Sequence, residues 1–594
     1  MLYTRLGAAE KHIRVLHLHS APEPDSDLIC HFRHVSLEGP NIRYEALSYT
    51  WGTKKHGRPV LLFEESIEIT ENLYIALQNL RRKDHERIIW VDALCIDQSN
   101  LGERTQQVSL MGSIYKKAWN VIIWLGQPWN DCHLAVDYLE QLGRDINLHL
   151  NPSQTPHVTT SGLNIDSLQL QAALKQFFDF AWWSRVWTVQ EWVLAQNTVF
   201  QCGQHYLDGK VVRKSVRHYF HHRQNCCHNS SNESDDDLYS ALLIMESMEY
   251  IRLLLNRVSF PYIISQFRSR EATDLRDKVY GMLGLATGQF ENLIEAEYKC
   301  SVEEVFESST LKIIQQTGNL EILSHVSYSG ERHLSLPSFV PDWTVPAKDS
   351  WYTNWLNWVG HLNLFNACDG EAADFQTIAA GRIAIKGIIV DEIKSSGSVH
   401  KTVPPGEFLQ EMRDIAGVNG MNDNEKQLYY GSQITREVAY WLTLCGTTEC
   451  FLDPQKDNRP FFRRIQMPTD FSRFRTWEEW FPSYNTHSLT PEIESVQFPF
   501  MLMLSGREKV FGATKRGRFG FFPAQCRKGD VIAVLAGGSV PFVLRPNKSA
   551  LKSELEEERR YTLVGDSFVY GIMDGEAVAP SNNSGSAWEY LVLI

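Results

Sequence analysis

Short apolar runs alternate with helical patterns early in the chain, and this alternation constrains the fold more than any other feature of the sequence. Residues 42–51 alternate apolar and polar side chains as a half-buried strand does. Residues 88–91 and 120–125 are nearly continuous apolar runs, which are typical of strands covered on both faces. Helical spacing fills the two intervals, at 71–82 and 108–118. The order strand, helix, strand, helix, strand predicts an α/β layer built on a parallel sheet.

The length of 594 residues predicts several domains, at about 100–200 residues each. We predict an α/β domain over 1–205, closed by a strand at 198–202, and then a helical middle region over 206–345. Within that region the stretch near 229–237 is polar and acidic, which is typical of a disordered loop. The remainder, 346–594, is predicted to be β-rich with a helical insertion at 407–500.

The net charge and the cysteine pattern indicate which binding partners and which cellular compartment to expect. The net charge of −13 gives the chain no overall attraction to nucleic acid or to anionic membrane. The 11 cysteines are odd in number and follow no disulfide spacing, which indicates a reducing compartment. Residues 1–20 mix charged with apolar side chains, and no apolar stretch reaches the roughly 18 residues of a membrane span. We therefore expect a cytoplasmic protein with no signal peptide and no membrane span.

Polar and aromatic clusters follow three of the predicted strands. In an open α/β sheet the carboxyl ends of the strands form the ligand crevice, so these clusters are predicted to converge on a binding site. The alternative is that these residues only end the strands and form the loops that follow them. The candidate binding residues are Ser48, Tyr49, Trp51, Gly52, Asp92, Cys95, Asp97, Gln98 and Trp124.

The loop after the second strand has a structural explanation as well. Asp97 or Ser99 is predicted to cap the helix that follows, with Glu103 in its first turn, and that role alone accounts for the residue types. Cys95 has no general base beside it in sequence, so a nucleophilic thiol is weakly supported.

Glu191 is the candidate catalytic residue. It lies in a tryptophan-rich helical segment, and Trp187 precedes it by four positions, which places both on one helix face. A carboxylate beside an indole in apolar surroundings has a raised pKa unless a charged or hydrogen-bonding partner stabilises its ionised form. A raised pKa is common in carboxyl groups that act as a catalytic acid or base. The alternative is a salt bridge from Glu191 to Arg185 or Arg104.

Other motifs carry little chemistry. The histidines and cysteines between 218 and 228 lack the paired spacing of structural zinc sites, so no metal is assigned to them. Gly281 and Gly284 lack the third glycine of a dinucleotide fingerprint and are interpreted as helix-packing residues. The sequence holds neither a phosphate-binding P-loop nor a nucleophile elbow, which removes most support for kinase and hydrolase functions.

The motifs together resemble the fungal heterokaryon incompatibility (HET) domain. Two segments further along resemble stretches that often accompany HET domains, namely 272–286 and 336–343. The resemblance within the first domain is carried by Tyr44-Glu-Ala-Leu-Ser-Tyr-Thr-Trp-Gly52, Trp90-Val-Asp-Ala-Leu-Cys-Ile-Asp-Gln98, Glu103-Arg104, Val121-Ile-Ile-Trp-Leu-Gly126 and Trp183-Ser-Arg-Val-Trp-Thr-Val-Gln-Glu191.

This resemblance implies a function in non-self recognition between fungal cells that ends in cell death. HET domains are also thought to be distant relatives of Toll/interleukin-1 receptor (TIR) domains, which have a flavodoxin-like fold. Several TIR domains cleave NAD at the nicotinamide–ribose bond with a glutamate that follows a tryptophan by four positions, as Glu191 follows Trp187. The C-terminal region is expected to regulate the HET domain or to sense the trigger of cell death.

From the resemblance, NAD or a related nucleotide is the expected substrate, and no metal or other cofactor is required. Glu191 would stabilise the positive ribose, Trp51 or Trp187 would stack on the base, and Arg104 or Arg185 would meet the diphosphate. The alternative is a signalling module without enzymatic activity, which acts by self-association or by docking a protein partner.

Overall fold

The protein forms two compact units, one of residues 1–301 with 346–351 and one of residues 302–345 with 352–594. The predicted division into three domains is a different one and stays a prediction. The structure, a computed structural model, describes residues 3–4, 6, 11–23, 25–39, 43–52, 54, 56–63, 65–148, 168–225, 233–326, 332–346, 358–399, 405–418, 428–430, 432–453, 459–465, 509–547, 559–578 and 588–594.

The first unit contains a mixed sheet and helices. Its strands are β1 His12–Leu18, β2 Ile29–Ser36, β3 Glu45–Tyr49, β4 Val60–Leu62, β5 Glu65–Ile67, β6 Arg87–Trp90, β7 Asn120–Gly126, β8 Thr198–Cys202 and β9 His205–Asp208. Its helices are α1 Glu71–Leu80, α2 Asp92–Cys95, α3 Leu101–Lys117, α4 Cys132–Arg144, α5 Leu168–Phe178, α6 Thr188–Val193, α7 Gly209–Asn225, α8 Glu233–Leu254, α9 Phe260–Gln266 and α10 Asp277–Tyr280. Short 3₁₀ turns lie at Ala181–Trp183, Leu283–Leu285 and Gly288–Phe290.

The sheet has the order β5-β4-β2-β1-β6-β3-β7-β8-β9. Its centre, β6-β3-β7-β8, is parallel throughout, with Tyr49 beside Trp124 in register. The prediction of an α/β layer with a parallel sheet is confirmed. Strands β1 and β2, which were not predicted, add an antiparallel pair beside β6.

The parallel strands lie in the spatial order second, first, third, fourth, counted along the chain. The direction of progress therefore reverses between β3 and β7. In open α/β sheets such a reversal leaves a crevice at the carboxyl ends of the two strands. The side chains that follow Tyr49 and Gly126 lie at this switch point.

The acidic stretch predicted as a loop is helical in part, because α8 begins at Glu233. This part of the stretch forms the beginning of a helix of 22 residues, so the helix extends beyond the apolar pattern into the polar segment. Residues 229–232 lie outside the described residues.

The second unit is predominantly β-structure, as predicted for the C-terminal region. Its strands are β10 Phe375–Ala379, β11 Arg382–Val399, β12 Thr448–Asp453, β13 Arg459–Arg464, β14 Lys509–Thr514, β15 Phe519–Pro523, β16 Val531–Leu535, β17 Phe542–Pro546, β18 Arg560–Asp566, β19 Phe568–Val569 and β20 Glu589–Leu593. Its helices are α11 Val302–Thr317, α12 Pro405–Ala416 and α13 Arg436–Leu444, with 3₁₀ turns at Glu321–His325 and Trp358–Leu364.

Strand β11 organises this unit because it pairs along its length with several neighbours. Its first half pairs with β20 and β16, and β16-β17-β18-β20 are themselves joined in order, so the strands close into a ring. The predicted helical insertion at 407–500 holds α12 and α13, but it also holds the antiparallel hairpin β12–β13. Residues 466–508 lie outside the described residues.

Among the described residues, no helix has the length and the apolar content that a membrane crossing needs.

Candidate functional site

Glu191 lies in α6 with its carboxylate enclosed by polar side chains of other elements. The Ser48 hydroxyl, at the end of β3, donates a hydrogen bond to it, and the Tyr115 hydroxyl of α3 is a second hydrogen-bond partner. The residue is only 6% exposed. Burial raises the pKa of Glu191 to about 7, although the bond from Ser48 and the charge of Arg185 lower it. The carboxyl group is thus close to half ionised at neutral pH.

The tryptophan joined to Glu191 through Ser48 is Trp182. Its Nε1 donates to the Ser48 oxygen at 2.6 Å, and its ring is fully buried. The Ser48 hydroxyl therefore accepts from the indole and donates to the carboxylate, which fixes its proton on the side of Glu191. Sequence reasoning did not assign Trp182 or Tyr115 to the site. The high density of tryptophan around Glu191 was the only signal for Trp182.

Asp92 is the second carboxylate of the site, directly after β6. It accepts hydrogen bonds from Trp51 Nε1 at 2.7 Å and from the Ala93 amide at 2.7 Å, and it interacts with the Tyr49 hydroxyl. Burial raises the pKa of Asp92, against the opposing effects of Trp51 and Arg185. The Trp51 ring is 39% exposed, so it offers a large aromatic surface beside this carboxylate.

Arg185 brings positive charge to both carboxylates. Its Nη1 donates to the Tyr49 backbone oxygen at 2.6 Å, and its charge lowers the pKa of Glu191 and of Asp92. In the described part of the chain, neither Arg185 nor Arg104 forms an ion pair with Glu191. The salt bridge that was the structural alternative for Glu191 is not observed.

Two predicted site residues lie in a different cluster, around Asp277. Trp187 Nε1 donates to Asp277 at 3.0 Å and the Tyr298 hydroxyl donates at 2.8 Å. Arg104 lies over the Tyr298 ring, 4.2 Å from its centroid. Burial raises the pKa of Asp277 to about 6. Trp187 is the N-cap of α6 and has helical φ and ψ, and the Glu191 amide donates to its backbone oxygen at 3.4 Å. The segment around Asp277 was recognised in the sequence only as a companion of HET domains.

The remaining predicted residues support the loops around the site. Gln98 Nε2 donates to the Asp92 backbone oxygen at 3.0 Å, and Trp124 Nε1 donates to Asn72 Oδ1 at 2.9 Å. Gly52 has φ of 70°, a left-handed turn that glycine adopts without strain. Burial raises the pKa of the Cys95 thiol to about 12, which argues against a nucleophilic thiolate.

The cap of α3 differs from the prediction. Asn100 is the N-cap, and its side chain accepts from the Gly102 and Glu103 amides at 3.1 Å. Asp97 instead accepts from Ser99, both from its amide and from its hydroxyl. The prediction of Asp97 or Ser99 as cap is wrong because the helix begins one residue later, where only Asn100 reaches the free amides.

Two histidines of the 218–228 tract, His218 and His222, bond to the backbone. His218 Nδ1 lies 2.6 Å from the Leu142 oxygen, and His222 Nε2 lies 2.6 Å from the Ile146 oxygen. Both histidines therefore fasten α7 to the end of α4 and the residues after it. Cys226, Cys227 and His228 lie outside the described residues.

Residues 44–191 match the family model described as Heterokaryon incompatibility protein (HET), and residues 484–584 match the model described as the Het-6 beta-barrel domain. The chain is 24% identical over 665 aligned positions to Heterokaryon incompatibility protein 6, OR allele, of Neurospora crassa, and the alignment covers 96% of this chain and 95% of that protein. No solved structure matches the chain. The resemblance to HET domain proteins is confirmed, and the matched range ends at Glu191.

Proposed function

We propose that this chain acts in heterokaryon incompatibility, as a non-self recognition protein whose HET domain triggers fungal cell death. The match over residues 44–191 and the similarity to the Neurospora crassa protein along nearly the whole chain support this proposal. The second unit, which overlaps the match at 484–584, would sense the trigger and hold the first unit inactive until then.

The chemistry that fits the site is hydrolysis of NAD at the bond between nicotinamide and ribose. The bond between C1′ and the pyridinium nitrogen breaks, and its electron pair neutralises the nicotinamide, which leaves without needing a proton. A water oxygen then bonds to C1′ and releases one proton, so that NAD and water give nicotinamide, ADP-ribose and a proton. The oxocarbenium-like transition state is positively charged at the ribose, and a carboxylate stabilises it.

Glu191 would supply that carboxylate. With a pKa of about 7 it can hold the negative charge opposite the ribose and also take the proton of the attacking water. Of the aromatic and basic candidates, Trp51 and Arg185 share the hydrogen-bond cluster of Asp92 and Tyr49. We therefore assign the stacking of the base to Trp51 and the diphosphate to Arg185.

One observation carries this proposal. The carboxylate of Glu191 is bonded to Ser48 at the switch point of the parallel strands, where ligands of such sheets bind. The spatial order second, first, third, fourth is the order that the expected resemblance to TIR domains would require, and this supports the proposal. Because Glu191 is only 6% exposed, the ribose reaches it only after neighbouring side chains move, which would make cleavage depend on activation.

The same burial favours a second candidate function, that of a signalling module without enzymatic activity. A carboxyl group held by Ser48 and Tyr115 and shielded from water can simply fasten α6 to β3 and α3. The first unit would then act by self-association or by docking a protein partner.

The two functions separate in a paired assay of the full chain. Purified protein is incubated with NAD and nicotinamide release is followed by chromatography, while the same variants are expressed in a fungal host and cell survival is counted. The test variant is Glu191→Gln, and the matched control is Glu140→Gln, a half-buried position on α4 whose side chain pairs with Arg144. Loss of release and of killing in Glu191→Gln alone supports the enzyme. Killing by Glu191→Gln without any NAD cleavage by the native chain supports the signalling module.

A further inference from the structure

We propose that the first unit binds a divalent transition-metal ion, Zn²⁺, at a histidine cluster on β1 and β2. The cluster consists of His17, His19, His31 and Glu86. One ligand atom each of His17, His31 and Glu86 lies within 4.8 Å of the others. The ion would cross-link three strands of the sheet.

The register of the strands brings these side chains together. His17 of β1 lies directly opposite His31 of β2, and such pairs project to the same face of an antiparallel sheet. On the other side of β1, Leu18 pairs with Arg87, and Glu86 directly precedes Arg87 at the entry to β6. His19 follows His17 by two positions and shares its face. The four side chains therefore form one row across β2, β1 and the entry to β6.

The contacts within the row are those of a ligand set. His17 Nδ1 lies 3.1 Å from the Glu86 carboxylate, and His19 Nε2 lies 2.8 Å from His31 Nδ1. Two donor atoms bound to one tetrahedral zinc at about 2.0–2.1 Å lie about 3.3 Å apart, so small ring rotations bring these pairs onto one ion. The rings of His17 and His31 are stacked, with centroids 4.6 Å apart.

His17 lies at the buried end of the row and is 5% exposed. Its Nδ1 is the nitrogen that faces Glu86 and would bind the ion. The Nε2 nitrogen, which has no hydrogen-bond partner in the described part of the chain, would then carry the proton of the neutral imidazole. Exposure increases from His17 through His31 to His19 and Glu86, so the cluster opens to solvent on one side and an ion can enter.

Donor chemistry selects the ion. Imidazole nitrogens with one carboxylate suit Zn²⁺, whereas Ca²⁺ and Mg²⁺ prefer oxygen ligands alone. The row lies at the amino end of β6, while Asp92 follows the carboxyl end of that strand. The ion would therefore stabilise the sheet at the edge opposite to the candidate site, and its binding does not depend on the proposed NAD cleavage.

The test uses the full chain, freed of metal with a chelator and dialysed, and titrated with ZnCl₂ in a calorimeter. His31→Ala and Glu86→Gln remove one ligand each from half-buried or exposed positions and so leave the core intact. His34→Ala is the matched control, because His34 lies on the same strand but on the opposite face and is exposed. We expect one ion per chain to bind at least tenfold more weakly in the two ligand variants and unchanged in the control. Zinc should also raise the unfolding temperature of the native chain and of the control alone.

Cobalt substitution identifies the donors. Co²⁺ held by nitrogen and oxygen gives visible bands without the near-ultraviolet band of a thiolate ligand. Equal zinc affinity in the native chain and in His31→Ala would overturn the proposal, and so would a thiolate band, which would place the ion at cysteines elsewhere.

Discussion

The Ser48 hydroxyl of β3 donates a hydrogen bond to the Glu191 carboxylate of α6, 143 positions further along the chain. Since Trp182 donates to the same hydroxyl, these three side chains form one buried hydrogen-bond network. Such a network is stable only while each side chain keeps its partner, and specific expectations follow from this condition.

The first expectation concerns pH. Burial raises the pKa of Glu191 from 4.5 to about 7, so the folded chain holds this proton over a pH range in which the unfolded chain has lost it. The contribution to stability is therefore fully present below pH 4.5 and is lost as pH rises through about 7. Relative to Glu191→Gln, which does not titrate, the native chain should lose about 3 kcal/mol across this window. Urea unfolding of both proteins at a series of pH values measures the difference, and parallel curves would contradict it.

Ser48→Ala should weaken the whole hydrogen-bond network. The Trp182 indole loses its acceptor inside the core, which costs about 1–3 kcal/mol of unfolding free energy. The pKa of Glu191 should rise further, because the bond from Ser48 lowers it in the native chain. Ser109→Ala, at an exposed serine of α3, serves as the control and should change neither quantity. Chemical denaturation at two pH values distinguishes this result from a simple packing defect.

Trp51→Ala tests the assignment of the base. Stacking between an aromatic side chain and a base contributes about 1–3 kcal/mol, so the KM for NAD should rise about tenfold or more. Trp119 is exposed to the same degree, 40% against 39% for Trp51, and Trp119→Ala should leave KM unchanged. An equal effect of both substitutions on KM would remove Trp51 from the site.

Glu103→Ala should be among the most damaging substitutions in the first unit. Glu103 pairs with the buried Arg14 of β1 and also accepts from the Asp97 amide at 2.8 Å. Its removal leaves a buried charge without a counter-ion, which costs about 3–5 kcal/mol. The exposed pair of Lys54 and Glu71 offers the contrast, and Glu71→Ala should cost less than about 1 kcal/mol. Comparison of the two unfolding free energies checks the prediction.

Gly284→Ala should disturb the packing under α6. A Cβ at Gly284 would lie 2.4 Å from the Gln190 Oε1 and 2.8 Å from the Gly112 Cα, closer than real contacts allow. We expect a loss of about 1–3 kcal/mol, since the backbone of α3 has to move away. Gly57→Ala is the control, because nothing lies within 4 Å of its added carbon. A Gly284→Ala chain as stable as the control would show that this contact is loose.

The central parallel strands were predictable because nearly continuous apolar runs form them. The packing role of Gly284 is also confirmed, by its close approach to Gly112, and Gly281 lies against the Val186 side chain. Strand β1 escaped detection because His12, Arg14 and His17 interrupt its apolar residues. Arg14 is nonetheless buried, since Glu103 neutralises it from α3. Because the partner of Arg14 is distant in sequence, the local pattern around Arg14 does not indicate that the strand is buried.

Some members of the site were predictable, whereas Trp182, Tyr115 and the contacts that join them to Glu191 were not. The rule for parallel sheets brought Ser48 and Asp92 to one edge, and the structure adds Glu191 there. The spacing of four residues between Trp187 and Glu191 predicted one turn of helix, and the Glu191 amide does donate to the Trp187 backbone oxygen at 3.4 Å. The direction of the Trp187 ring is decided by Asp277, 90 positions away. Such distant partners leave no trace in the spacing of a single sequence.

The close contact between Gly112 and Gly284 also bears on how this protein should be dissected. A recombinant fragment trimmed to residues 44–191 would leave out β1, β8 and the turn at Leu283–Leu285. Strands β6 and β7 would then be edge strands with unpaired backbone hydrogen-bonding groups, which promote aggregation between sheets during expression. Fragments that run from before His12 to about Ser301 keep these neighbours and are the ones to clone.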